Sequence, residues 1–196
     1  MRMKPDKPFT ADFRDVAYVP RWAIARRNRQ QYLAEHSYFA AVYADQTARL
    51  IGWDGNYEEL FRYALYHDLD ETITGDIPGP AKRAAWCKEK GGDAILPIMT
   101  AKFGLDVMST RLVATDEIRA IVSVADSIEE VCYLSEELLL GNVWVTPVIQ
   151  EAQERLRLRW MNLPATISLL EGLWEKHAES LCLKQHSPPT ILRDTL

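Results

Sequence analysis

The segment TDEIRAIVSVADSIEEVCYLSEELLL, residues 115–140, most limits what this chain can fold into. Ile118, Ile121, Val122, Ala125, Ile128 and Cys132 recur at three- and four-residue intervals, the spacing that lines one face of an α-helix. Thr115, followed by Asp116 and Glu117, supplies a helix start. No segment of the chain keeps up the two-residue alternation of a half-buried strand. A stripe of this length must be covered, and with no strand on offer the cover is other helices. The expected architecture is all-α.

Further periodic segments flank it. Residues 34–51 read as a helix with Phe39, Val42, Tyr43, Gln46 and Leu50 near one face, and GWDGN then breaks the pattern. Residues 57–72 read as a second helix, with Leu60, Ala64, Leu65 and Leu69 at helical spacing. Gly75, Pro78, Gly79 and Pro80 make a loop, since proline cannot continue a helix interior. Helices are expected over 80–90, ending at Gly91-Gly92, then over 94–103, 148–162 and 165–183, with a surface tail at 184–196. The whole is expected to form one domain, residues 1–196, with its core between about 20 and 183.

Composition excludes several classes. Apolar residues at 47% and charged ones at 26% suit a packed globule rather than a disordered chain. The longest uncharged run, residues 138–150, contains Gly141 and Pro147 and is too short to span a bilayer. The N-terminal stretch MRMKPDKPFTADFRD lacks an apolar core, so no signal peptide is expected. Cys87, Cys132 and Cys182 are odd in number and far apart, which reads as free thiols in a reducing cytoplasm. A net charge of −5 argues against polymeric nucleic acid as partner. A small anion stays open, because RWAIARRNR gathers Arg21, Arg26, Arg27 and Arg29; a solvated basic turn is the plainer account of those arginines.

The chemistry sits around two of the four histidines. His177 and His186 lie in or near the tail and read as surface residues, whereas His36 and His67 fall on consecutive helices of an expected hairpin around GWDG. At about 1.5 Å of rise per residue the two reach similar levels and can converge. Imidazoles and carboxylates together are the donors that divalent first-row metals take. Asp68 adjoins His67, and Asp126 lies beside the apolar stripe of 115–140, although alone it could be a helix-edge acid facing water. Glu71, four residues after His67, projects from the same face and can serve as a base toward water. Asp70 reads as solvated.

These blocks resemble a known family. A lone His, then His-Asp, then a distant Asp is the pattern of HD-domain metal-dependent phosphohydrolases. RW (Arg21-Trp22), AEHS (Ala34 to Ser37), YHDLDE (Tyr66 to Glu71) and TGDIPGPAK (Thr74 to Lys82) are similar in order and spacing to the bacterial 5′-deoxynucleotidases of the YfbR type, over roughly residues 20 to 140. The resemblance implies a helical bundle holding one divalent ion (Mn, Co, Fe, Zn or Mg) through His36, His67, Asp68 and Asp126. It implies Glu71, with Asp68, as catalytic, and Arg21 and Lys82 as phosphate binders. Trp22 would lie against the sugar and disfavour a 2′-hydroxyl, Asp76 would bond the 3′-hydroxyl, and Ile24, Ser37 and Pro78 would line the substrate site. A homo-oligomer is implied as well. The excess arginine in AIARRNRQQYL keeps a second activity open, release of triphosphate from a dNTP such as dATP by related phage-type enzymes. A non-catalytic nucleotide-binding module is the third reading, disfavoured because Glu71 stands beside a full ligand set.

Overall fold

The computed structural model describes residues 11–78, 91–104, 107, 109, 110, 113–161 and 163. In chain order it contains a 3₁₀ helix (Ala11–Ala17), α1 (Leu33–Leu50), α2 (Tyr57–Tyr66), the single turn α3 (Glu71–Thr74), α4 (Gly91–Phe103), α5 (Asp116–Leu139), a 3₁₀ turn (Val143–Val145) and α6 (Thr146–Trp160). No β-strand occurs among the described residues; Pro20 and Tyr32 form an isolated antiparallel bridge. No helix among them is long and apolar enough to cross a membrane. Of the other expected segments, 80–90, 165–183 and the tail lie outside the described residues, as do Cys87 and Cys182. Cys132 is a buried free thiol.

The stripe of residues 115–140 becomes α5, and α1, α2 and α6 all pack on it. Ile118, Ile121, Val122, Ala125 and Cys132 are buried and Ile128 partly so. Thr115 caps the helix by accepting from the Ile118 amide at 3.2 Å, which satisfies one of the free amides of the first turn. Both α1 and α5 stop on a glycine. Gly52 takes φ +67° and Gly141 φ +85°, and the following amides turn back onto the helices, Trp53 to Ala48 and Asn142 to Glu137, each at 2.9 Å. Only glycine enters that left-handed conformation without strain.

Three local expectations differ from the structure. The buried face of α1 is not the aromatic one: Phe39 and Leu50 are exposed, while His36, Ala40, Ala41, Ala44, Thr47 and Ala48 face inward. Small side chains let α1 approach α5 and α2 closely, and the large ones are displaced to the flank. The helix expected over 57–72 is also interrupted. After Tyr66 the chain winds more tightly, with Leu69 bonded to Tyr66, Glu71 to Asp68 and Thr72 to Leu69 across three residues instead of four. His67 and Asp68 therefore sit on a tight turn between α2 and α3. A second apolar cluster supports this turn: Leu69 packs with Met99, Phe103 and Val107, against Phe13, Val16 and Tyr66. The helix expected over 94–103 starts earlier, at Gly91.

Leu60 is fully buried in the main cluster between α1, α2 and α5. Leu60→Ala should cost about 2–5 kcal/mol of folding stability through lost burial and the cavity left behind. Urea unfolding measures it, and a loss under about 1 kcal/mol would contradict this packing.

Candidate active site

Two histidines, His36 buried and His67 partly buried, meet where α1 faces the turn after α2. The rings of His36 and His67 lie 5.4 Å apart between centroids. Each commits Nδ1 to an oxygen acceptor: His36 donates to Glu129 Oε2 at 2.5 Å and His67 to the Ala64 carbonyl at 2.7 Å. Both Nε2 atoms are buried and have no hydrogen-bond partner among the described residues. They face carboxylates instead. Asp68 Oδ2 is 3.6 Å from His36 Nε2 and 3.2 Å from His67 Nε2, and Asp126 Oδ1 is 3.4 Å from His36 Nε2. One ligand atom each from His36, His67 and Asp68 falls within 4.8 Å of the others.

The electrostatics ask for positive charge at this point. Burial opposes ionisation of Asp68, but the His67 and His36 imidazoles hold its carboxyl well below the usual range. Asp126 is lowered in the same way, against burial, by His36 and His67 with help from Arg159. Conversely, burial and Arg21 push His36 down, yet Glu129 and Asp68 carry it up to about 9. Nitrogen and carboxylate donors that converge with both imidazole Nε2 atoms unbonded fit a divalent cation by their chemistry.

Beside this cluster stands a loop that leads into α1. Arg21 Nη1 lies 3.5 Å from Asp68 Oδ2 and 3.8 Å from Glu71 Oε2, and its Nε is a buried donor with no partner among the described residues. Glu71 is buried at the first position of α3. Trp22 has φ +64°, a left-handed conformation that is strained for a bulky residue. Four different residues hold it there. Its amide donates to Asp76 Oδ2 at 2.8 Å, its carbonyl accepts from Arg27 Nη1 at 2.8 Å, and its indole N–H donates to Gln31 Oε1 at 2.9 Å. The ring stacks on Tyr133, centroids 5.3 Å apart.

The model of the 5′-deoxynucleotidase YfbR-like family matches residues 8–87. The 5′-deoxynucleotidase YfbR of Escherichia coli O127:H6 is 30% identical over 149 residues, covering 68% of this chain and 74% of that protein. The chain belongs to the YfbR-like family. Its YfbR relative in Escherichia coli strain K12 / DH10B is 28% identical over 148 residues, with the same shares of both chains covered. Among solved structures, the HD phosphohydrolase DatZ of cyanophage S-2L, bound to dA and one catalytic Zn²⁺ ion, superposes with a TM-score of 0.68. It does so at 19% identity, over 92% of this chain and 98% of DatZ. An HD-domain phosphohydrolase of Listeria innocua gives a TM-score of 0.68 at 13% identity over 93% of each chain. The fold is the HD-domain helical bundle.

Within this YfbR-like chain the remaining expected residues are distributed as follows. His36, His67, Asp68, Asp126, Glu71 and Arg21 are brought together. Asp76 bonds the Trp22 amide rather than the group itself. Ser37 is buried next to His36, Ile24 is exposed, and Pro78 is half-buried. Lys82 lies outside the described residues. The loop arginines are engaged by the protein itself: Arg26 lies over the Trp144 ring, Arg27 bonds Gln30 at 2.8 Å, and Arg29 reaches Glu35 at 2.5 Å and Glu136 at 2.8 Å. Buried Glu137 straps the same loop to the end of α5, accepting from the Asn28 and Arg29 amides at 2.7 Å each.

Three partners of the site went unread in the sequence. Glu129 lies four residues after Ala125 and three before Cys132, so it interrupts the apolar stripe of α5, and a carboxylate there demands a buried partner. That signal was available. Arg159 of α6, 2.8 Å from Asp126 Oδ2, and Gln31 carry no comparable mark, because their partners are distant in the chain.

Proposed function

We propose that this chain is a divalent-metal-dependent phosphohydrolase of deoxynucleotides, and specifically a 5′-deoxynucleotidase that releases deoxynucleoside and phosphate. The observation that carries the reading is the pair of buried, unbonded Nε2 atoms of His36 and His67 set against Asp68, with Glu71 and Arg21 alongside. His36, His67, Asp68 and Asp126 would hold the ion, which when bound polarises the phosphoryl group and makes water a better nucleophile.

The chain's own groups supply the rest. Arg21, whose buried Nε has no protein partner among the described residues, binds the phosphate oxygens as a planar, permanently charged donor. Glu71 takes the proton of the attacking water, the P–O5′ bond breaks, and that proton passes on to the nucleoside oxygen as it leaves. Trp22 covers the sugar at C2′. Asp76 has one oxygen held by the Trp22 amide and offers the other to the 3′-hydroxyl. Ser37, Ile24 and Pro78 complete the substrate side, with Lys82 on the phosphate.

A monophosphate is favoured because Arg26, Arg27 and Arg29 are bound up in protein contacts. The density of arginine in the loop is the one feature that favours dNTP cleavage with release of triphosphate. A single domain over residues 1–196, a cytoplasmic setting and a homo-oligomer belong to the same reading. Product analysis with Co²⁺-loaded protein tests it. Phosphate from dAMP with little from AMP is the expected outcome, whereas triphosphate from dATP without turnover of dAMP would replace it with the second activity.

A further inference from the structure

A chain of hydrogen bonds runs from the sugar side of the site to the metal side. The Trp22 indole N–H donates to Gln31 Oε1 at 2.9 Å, Gln31 Nε2 donates to Glu129 Oε1 at 2.6 Å, and Glu129 Oε2 takes the Nδ1 proton of His36 at 2.5 Å. Gln31 and His36 are wholly buried and Glu129 nearly so, so water cannot stand in for a missing member. Every role in the chain is fixed by chemistry. An indole N–H only donates, so it takes the amide oxygen; the amide NH₂ must then meet an acceptor, and a carboxylate only accepts. The second Glu129 oxygen is left for His36 Nδ1, which turns Nε2 away from Glu129 and toward Asp68 and Asp126, the side on which it would meet a metal. Backbone bonds keep the relay in register: the Arg21 amide donates to the Gln31 carbonyl at 3.0 Å, and the Leu33 amide to Val19 at 3.0 Å.

We propose that Gln31 and Glu129 are positioning residues that make Trp22 and the metal ligand His36 one hydrogen-bonded unit, so that metal affinity and sugar discrimination rise and fall together. The sugar half rests on the function proposed above for Trp22. The metal half rests on His36 alone. An imidazole oriented by a carboxylate is both better aimed and more basic toward a metal. Loosening Gln31 frees Glu129 to swing and leaves the indole N–H without its acceptor, so the disturbance travels in both directions.

Co²⁺ titration of the metal-free protein, followed by its visible absorption and with no nucleotide present, tests the metal half directly. Glu129→Gln places an amide where two donors already point and should weaken Co²⁺ binding about 10- to 100-fold. Gln31→Met keeps the volume but removes both bonds. Trp22→Phe keeps an aromatic ring, smaller by the fused five-membered part, and removes the indole N–H. Each should weaken Co²⁺ binding about two- to tenfold, the worth of one net hydrogen bond, and the double variant should lose no more than the larger single effect. Gln31→Met should also lower the dAMP-over-AMP ratio of kcat/KM. Wild-type Co²⁺ affinity and absorption in both Gln31→Met and Trp22→Phe would overturn the coupling, whatever the protein hydrolyses. Weakened Co²⁺ binding with an unchanged dAMP-over-AMP ratio would overturn the sugar half and with it the role given to Trp22.

Discussion

Glu71→Gln is expected to bind Co²⁺ as tightly as the wild type and to lose turnover by about 10²- to 10⁴-fold, the usual worth of a positioned general base. The variant keeps the shape of a side chain that is almost wholly buried at the start of α3. Its amide oxygen can still face Arg21, which stands 3.8 Å from Glu71 Oε2. What it cannot do is accept the proton of the attacking water. Metal affinity and kcat, measured on the same preparation, separate the two properties. Activity within tenfold of wild type would remove Glu71 from the mechanism. Loss of metal together with turnover would make it a ligand instead.

Asp68→Ala should abolish both. A single oxygen, Oδ2, faces His36 at 3.6 Å, His67 at 3.2 Å and Arg21 at 3.5 Å, so no other side chain can replace it from its own position. If the ion contributes several kcal/mol to the transition state, its loss lowers activity by about 10² to 10⁴. The thermal signature is independent of any substrate. A metal that binds only the folded chain adds about 2.7 kcal/mol at a hundred times its Kd. Chelation should therefore lower the Tm of the wild type and leave that of Asp68→Ala unmoved. A wild-type Tm indifferent to chelator would count against the whole ligand set.

The fold was legible because α5 carries its own instruction: one long stripe, a capping threonine and a terminal glycine specify its length and its buried face. The site was legible in part for a related reason. His36 and His67 are rare residue types on neighbouring helices, and the hairpin brings their rings to 5.4 Å. Legibility failed where the deciding partner lay elsewhere in the chain. The inward face of α1 is a row of alanines, and only the approach of α5 makes small residues preferable to Phe39 there. The tight turn at His67 and Asp68 depends on Leu69 finding Met99 and Phe103. Arg26 and Arg29 of the Trp22 loop looked available for phosphate because their partners, the Trp144 ring, Glu35 and Glu136, belong to other elements.

The left-handed backbone of Trp22 has a consequence for how this position would change under selection. Glycine would relieve the strain at φ +64°, but it would also discard the stacking on Tyr133 and leave the buried Gln31 Oε1 without its indole donor. Backbone relief therefore pulls against packing at this position, and the sugar role proposed for Trp22 pulls with the packing. A library screened for heat resistance alone should therefore keep an aromatic ring here, its grip on the loop outweighing the strain of the turn.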